Sequence, residues 1–222
     1  MENLQSDHLD TQNLYRDMQK RTGGEIYIGV VGPVRTGKST FIKRFMDVAV
    51  LPYMEDAAQK TRAQDELPQS AGGRTITTTE PKFIPQEAVE LKLAGEVTIR
   101  VRLVDCVGFM VEGAAGHLED GAERLVKTPW YDHEIPFTQA AELGTRKVIT
   151  DHSTIGVVVT TDGSFSDLPQ ETYLDAENQA ISELKKLHKP FLVLVNSSHP
   201  SSRTAREAAE RIEKQHSVTA LP

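Results

Sequence analysis

Gly32-Pro33-Val34-Arg35-Thr36-Gly37-Lys38-Ser39 is the stretch on which the fold turns. It fits the P-loop pattern of Gly, four residues, then Gly-Lys-Ser/Thr, and both flanks agree. Residues 26–31 before it read as a short buried strand. After it, Phe41, Ile42, Phe45, Met46 and Ala49 recur at helical spacing. Glycines let the backbone curl so that successive N–H groups point at an anion, and the new helix adds the positive end of its dipole. Lys38 is placed to reach the β- and γ-phosphates, and the Ser39 hydroxyl to ligate Mg²⁺. Gly32, Arg35, Thr36, Gly37 and Thr40 complete the predicted phosphate-binding set.

Working outward, 222 residues are enough for one sizeable α/β domain with its own core. With 38% hydrophobic and 26% charged residues the composition is that of a soluble globular chain. A net charge of −7 argues against a nonspecific nucleic-acid binder, which needs a basic face. Cys106 is the single cysteine, so no internal disulfide can form and a reducing cytoplasm is the expected location. No signal peptide and no apolar run of membrane-spanning length are visible, so membrane contact is expected to be peripheral.

Residues 1–24 read as a polar leader helix with Leu9, Leu14 and Met18 as sparse anchors, and residues 25–222 as the nucleotide domain. The first helix is expected to stop near Leu51-Pro52. From 55 to 73 the periodicity dissolves and Pro68, Gly72 and Gly73 break any helix, so 55–80 reads as one long functional loop. At its end lies Arg74-Thr75-Ile76-Thr77-Thr78-Thr79-Glu80-Pro81. Threonines favour strand edges, but switch loops of nucleotide hydrolases place a threonine here to touch Mg²⁺ and sense the γ-phosphate. Thr78 and Thr79 are the candidates.

Two strands, 88–93 and 97–104, are expected to form a hairpin through Ala94-Gly95-Glu96. The second ends at Asp105-Cys106-Val107-Gly108. An acidic residue ending a strand beside the P-loop strand is the Walker B arrangement, with Asp105 holding Mg²⁺ and the Gly108 N–H offered to the γ-phosphate. Many P-loop GTPases follow this glycine with a water-orienting glutamine; here Phe109 stands there and has no polar group to give. Residues 110–151 form an insertion carrying Trp130-Tyr131, either an interaction surface or a satellite core, with a helix over 137–149. His117, His133 and His152 are too dispersed for a metal site.

A central strand over 155–160 and a helix marked by Ala176, Ile181, Leu184 and Leu187 lead to another buried strand over 191–195. That strand ends in Asn196-Ser197-Ser198-His199, where a GTPase would carry Asn-Lys-x-Asp. Asn196 matches; Ser197 and His199 replace the lysine and aspartate, so the two guanine donors lose their acceptor and adenine is favoured. A last helix is expected over 203–215, with nothing after it. The motif order predicts an α/β three-layer P-loop NTPase domain related to translation-factor-type GTPases. Its sheet is mixed but mostly parallel, with helices on both faces.

With these residues in hand, the chain resembles the N-terminal ATPase domain of the stage IV sporulation protein A family, coat-morphogenesis ATPases of endospore-forming bacteria. The resemblance is carried by Arg-Thr-Gly-Gly at 21–24, Gly-Val-Val-Gly-Pro-Val-Arg-Thr-Gly-Lys-Ser-Thr-Phe-Ile at 29–42 and Asp-Glu-Leu-Pro-Gln-Ser at 65–70. Thr-Thr-Glu-Pro-Lys-Phe at 78–83, Val-Asp-Cys-Val-Gly at 104–108 and Gly-Thr-Arg-Lys-Val-Ile at 144–149 extend it over nearly the whole chain. It implies a GTPase-related fold that hydrolyses ATP with Mg²⁺ and polymerises into a basement layer around the forespore. It also implies a mother-cell location, recruitment by a small amphipathic membrane-binding peptide protein, and contacts with other coat proteins through middle and C-terminal domains absent here. The family's catalytic lysine falls on Lys38, its Walker B aspartate on Asp105 and its sensor threonines on Thr78 and Thr79.

Three readings are open on sequence alone: an ATPase that drives assembly, a GTPase switch with an effector, and a scaffold that binds nucleotide for structure. The threonine assignment separates the first two from the third. Thr78→Ala combined with Thr79→Ala should leave nucleotide affinity within about threefold while phosphate release falls by about 100-fold. Hydrolysis at the wild-type rate in that variant would remove both threonines from the switch.

Overall fold

Ile26, Ile28 and Val30 face one way from β1 (Glu25–Val31) and Val31 the other, and both sets are buried. A strand apolar on both faces belongs at the centre of a sheet covered on both sides. The computed structural model, which describes residues 23–68, 80–92, 98–114, 116, 118–119 and 121–222, places it there. The partners of β1 are β3 (Thr98–Asp105) and β8 (Ile155–Thr161), both parallel to it. Beyond β8 come β9 (Phe191–Asn196) and β10 (Ala220–Leu221), again parallel. Beyond β3 lies β2 (Lys82–Lys92), the one antiparallel member of this six-stranded sheet.

Helices cover the two faces unequally. One face meets α1 (Lys38–Phe45), whose course continues through a wide turn at Met46–Val50 and a tight one at Leu51–Tyr53. Ile42, Met46, Val50 and Leu51 pack there against Ile28, Val30, Leu103 and Val159. On the opposite face Val104, Val158, Val193 and Val195 meet Val148 and Ile149, in the wide turn Val148–His152 that continues α3 (Phe137–Lys147), and residues of α4 (Leu174–Lys186) and α5 (Arg203–His216). The result is the expected mostly parallel α/β sandwich.

Besides β2, which begins at Lys82 rather than at 88 as expected, the chain departs from the sequence expectation in three places. Residues 57–65, expected to be loop, form α2 (Ala57–Asp65). Asp56 caps it by accepting from the Ala58 and Gln59 N–H groups at 2.8 and 3.2 Å. Only Ala63 is buried, so the helix has no apolar stripe for a periodicity search to find; its alanines, glutamines, lysine and arginine make it by propensity. Second, the chain does not end at the last helix, because β10 returns to pair Ala220 with Val193. Third, the glycine-rich insertion holds two small hairpins. They are β4 (Leu118–Glu119) with β5 (Ala122–Glu123), and β6 (Leu125–Thr128) with β7 (Tyr131–Pro136). The leader before residue 23, the turn at 94–96 and the segment 69–79 with Thr78 and Thr79 lie outside the described residues.

The second hairpin packs at the start of α3, where Ile135 of β7 and Phe137 of the helix are both buried and the Arg124 guanidinium lies 4.3 Å from the Phe137 ring centroid. Trp130 sits under the Lys147 ammonium while Tyr131 is exposed, so the aromatic pair divides between packing and solvent. On the helical face with three helices one charge is deeply buried. Glu177 of α4 accepts a 2.6 Å hydrogen bond from Thr160, and the Arg211 guanidinium lies 2.8 Å from its other oxygen, off the line of a hydrogen bond. Removing the arginine strands a buried carboxylate. Arg211→Met should therefore cost about 3 kcal/mol in urea unfolding, and Glu177→Met added to it should recover part of that loss.

Candidate functional site

The register fixes where the motifs meet. Val30 pairs with Asp105 across β1–β3, Val31 with Val158 across β1–β8, and Thr161 with Asn196 across β8–β9. The carboxyl ends of these strands therefore open at one edge of the sheet, the usual place for a ligand in an open α/β sheet. The P-loop leaves β1 at that edge, and residues 105–109 leave β3 beside it.

Gly37 turns the loop into α1 with φ +91, and an added Cβ would lie 2.3 Å from Asn196 Nδ2. Glycine is required there on both counts. The amide of Asn196 donates to the Thr36 carbonyl at 3.0 Å, and the buried Thr36 hydroxyl lies 2.7 Å from the Val159 carbonyl and 3.0 Å from that of Pro33. The loop is thus tied to the ends of β8 and β9. Arg35, at φ +61, stands exposed on its crest, and Thr40 is exposed on the first turn of α1.

Lys38 folds beneath the loop, its ammonium donating to the Pro33 carbonyl at 2.5 Å. Ser39 Oγ donates to Asp105 Oδ2 at 2.8 Å, and Asp105 Oδ1 accepts from the Cys106 N–H at 2.9 Å. The P-loop serine and the strand-end aspartate are therefore in direct contact. Burial pushes the Lys38 pKa down and the Asp105 pKa up; the hydrogen bond from Ser39 and the charge of Lys38 oppose the shift at Asp105. Burial also raises the neighbouring Cys106 thiol to about 11, which leaves it protonated and no nucleophile near neutrality.

The next two residues hold the loops together. Phe109 donates its N–H to the Gly32 carbonyl at 3.0 Å and accepts from the Val34 N–H at 2.9 Å, a parallel bridge between the two motifs. Its ring is buried at 1% exposure within the core formed with α4 and α5. The position of the water-orienting glutamine is thus a core position here. Gly108, at φ +103, donates its N–H to Thr145 Oγ1 at 3.0 Å. In this arrangement the amide assigned from sequence to the γ-phosphate is engaged with α3. Thr145 was not legible as a site residue, since nothing local marks one threonine in a packed helix.

The ends of β8 and β9 are organised by Asp162, another residue the sequence reading passed over. Its Oδ2 accepts from the Ser197 hydroxyl at 2.6 Å and its Oδ1 from the Ser164 N–H at 3.0 Å. Burial acts to raise its pKa, but the hydrogen bonds from Ser164 and Ser197 outweigh it and hold the carboxyl below the usual range. Ser164 Oγ accepts from the Ser198 N–H and Ser197 Oγ from that of His199, at 2.8 and 3.0 Å. Beside this network lies a cavity of about 450 Å³ lined by Asp162, Glu171, Ser197, His199 and Thr204 among others. An acidic residue just past a central parallel strand was the available signal. His133 stacks near Tyr131 and His152 against Phe83, and among the described residues no three acidic, histidine or cysteine side chains gather as a metal cluster.

These contacts give Lys38 and Asp105 separable effects. Lys38→Ala should weaken nucleotide binding by at least about 10-fold, because the phosphates lose their nearest point charge. Asp105→Asn should change affinity less and lower both Mg²⁺ dependence and turnover. Titration calorimetry beside phosphate release would separate them.

The chain matches the family model described as "Stage IV sporulation protein A, ATPase domain" over residues 9–222. It is 51% identical over 210 residues to stage IV sporulation protein A of Clostridioides difficile (strain 630), covering 95% of this chain and 43% of that protein. To the proteins of the same name from Bacillus subtilis (strain 168) and Bacillus anthracis it is 48% and 47% identical over 213 residues. In both cases the match covers 96% of this chain and 43% of theirs. The chain thus spans less than half the length of these curated relatives. A dimerization-deficient form of Toc33 from Arabidopsis thaliana superimposes with a TM-score of 0.46 at 10% identity, over 93% of this chain and 73% of that one. A P-loop held against its strand-end aspartate, carried on a sequence half identical to these relatives over nearly its whole length, places the chain in the stage IV sporulation protein A family, in the region of its ATPase domain.

Proposed function

We propose that this chain binds Mg·ATP and hydrolyses it slowly, and that in the full-length protein this activity drives self-assembly of a layer beneath the spore coat. The observation that carries the nucleotide reading is the 2.8 Å contact of Ser39 with Asp105 beside the buried ammonium of Lys38. A hydroxyl and a carboxylate are hard oxygen donors, and few protein ligands suit an ion that keeps waters and phosphate oxygens. Ser39 and Asp105 would hold Mg²⁺, which supplies neutralisation of charge developing on the transferred phosphoryl group. Thr79, assigned to the same ion from sequence, joins this proposal without structural support.

The chain's own residues do the rest. Free N–H groups at the start of α1 and the Lys38 ammonium hold and orient the phosphates. Adenine is supported by the base loop, where Ser197 and His199 stand in place of the lysine and the aspartate that accepts from guanine. Slow turnover is supported by Phe109, which puts a buried ring where a glutamine would orient water. Assembly, recruitment by an amphipathic membrane-binding peptide protein, contacts with other coat proteins and a peripheral place at the forespore surface are supported by family membership. Among the described residues no helix is long and apolar enough to cross a membrane.

Phosphate release and competition titration with ATP and GTP, with and without Mg²⁺, test the reading beside sedimentation of this chain and of a full-length relative. The expected outcome is tighter binding of ATP, slow Mg²⁺-dependent release, and ATP-dependent pelleting of the full-length protein only. Tighter GTP binding would replace the assembly ATPase with a switch. Robust pelleting of this chain alone would show that the nucleotide domain carries the polymer contacts.

A further inference from the structure

The backbone N–H of Gly108 has a partner already, and that partner is placed to give it up. Thr145 is fully buried in α3, and its hydroxyl donates to the Ala141 carbonyl at 2.8 Å. With its proton committed, the oxygen faces Gly108 with a lone pair and accepts the amide at 3.0 Å. Gly108 itself lies against the catalytic lysine, since a Cβ built on it would stand 2.5 Å from Lys38 Nζ and 2.4 Å from the Gly32 carbonyl oxygen. The following residue cannot swing away as part of a mobile loop. Phe109 is tied to the P-loop through both its N–H and its carbonyl, and its ring is in the core. What is left free is the peptide plane between Val107 and Gly108, and a residue without a side chain accepts its rotation.

We propose that Thr145 is a positioning residue that holds the Gly108 amide in a resting state, so that the γ-phosphate must take this amide from a neutral hydroxyl when a nucleoside triphosphate binds. The inference rests on the reading of the site as one for Mg·ATP. An anionic phosphoryl oxygen is the stronger acceptor, so a triphosphate draws the amide over while a diphosphate leaves it on Thr145. The tie therefore costs triphosphate affinity and leaves diphosphate affinity alone, a bias between two states to which only one ligand is sensitive.

Thr145→Val keeps the side-chain volume and removes the acceptor; Thr145→Ser keeps the acceptor. Calorimetry with Mg²⁺ and either ADP or the β,γ-imido analogue of ATP reads the bias directly. In Thr145→Val the analogue should bind about fivefold tighter relative to ADP, the worth of one ordinary hydrogen bond, with ADP itself within about twofold of wild type. Thr145→Ser should restore the wild-type ratio. A second measurement needs no variant: the ¹⁵N resonance of the Gly108 amide in the wild-type chain should move on adding the analogue and stay on adding ADP. An unchanged analogue-to-ADP ratio in a folded Thr145→Val protein, or one Gly108 resonance common to both complexes, would overturn the proposal. Failure of the wild-type chain to bind either nucleotide would overturn the reading of the site instead.

Discussion

Parallel pairing of β1 on both sides is the constraint from which the site follows. A strand flanked in parallel by β3 and β8 must deliver its carboxyl end to the same edge as theirs, because parallel register leaves no other choice. The P-loop, Asp105 and Asp162 come from three separate stretches of chain and are gathered by that geometry alone. The alternation within β1 secures it energetically. Ile26, Ile28 and Val30 belong to one core and Val31 to the other, so a slip by one residue would turn each set toward the wrong helices.

Phe109 shows how one substitution changes the character of such a site. In a cycling switch, the residue after the strand-end glycine is free to carry a polar group to the attacking water. Here the same position is bonded to Gly32 and Val34 and its ring is packed with residues of two helices. The loop after β3 is thereby made part of the P-loop's support. Phe109 therefore offers no polar side chain from this position.

Sequence reading reached the elements that bury a patterned face and missed those that do not. β1, β8, β9 and the three helices behind them announce themselves through apolar periodicity, and the P-loop and Asp105 through fixed spacing. α2 escaped because Ala63 alone is buried and its remaining residues face water, which looks like a loop to any hydrophobicity test. β10 escaped because two residues pairing with β9 have no period to read. Thr145 was illegible for a different reason, and Asp162 was marked only by its place just past a central strand. Each acts through a partner far along the chain, Gly108 in one case and Ser197 in the other, and only the fold makes them neighbours.

The two ends of the site hold their polar groups in opposite ways. At the phosphate end a desolvated ammonium is bonded to a neutral carbonyl and a desolvated carboxylate to a neutral hydroxyl. Neither charge has an opposite charge as its hydrogen-bond partner, so these bonds offset the cost of burial only in part. At the ends of β8 and β9 the Asp162 carboxylate is held by Ser197 and Ser164, and the Asn196 amide donates to Thr36. The two carboxylates accordingly shift in opposite directions, Asp105 upward through burial and Asp162 downward because its hydrogen bonds outweigh burial.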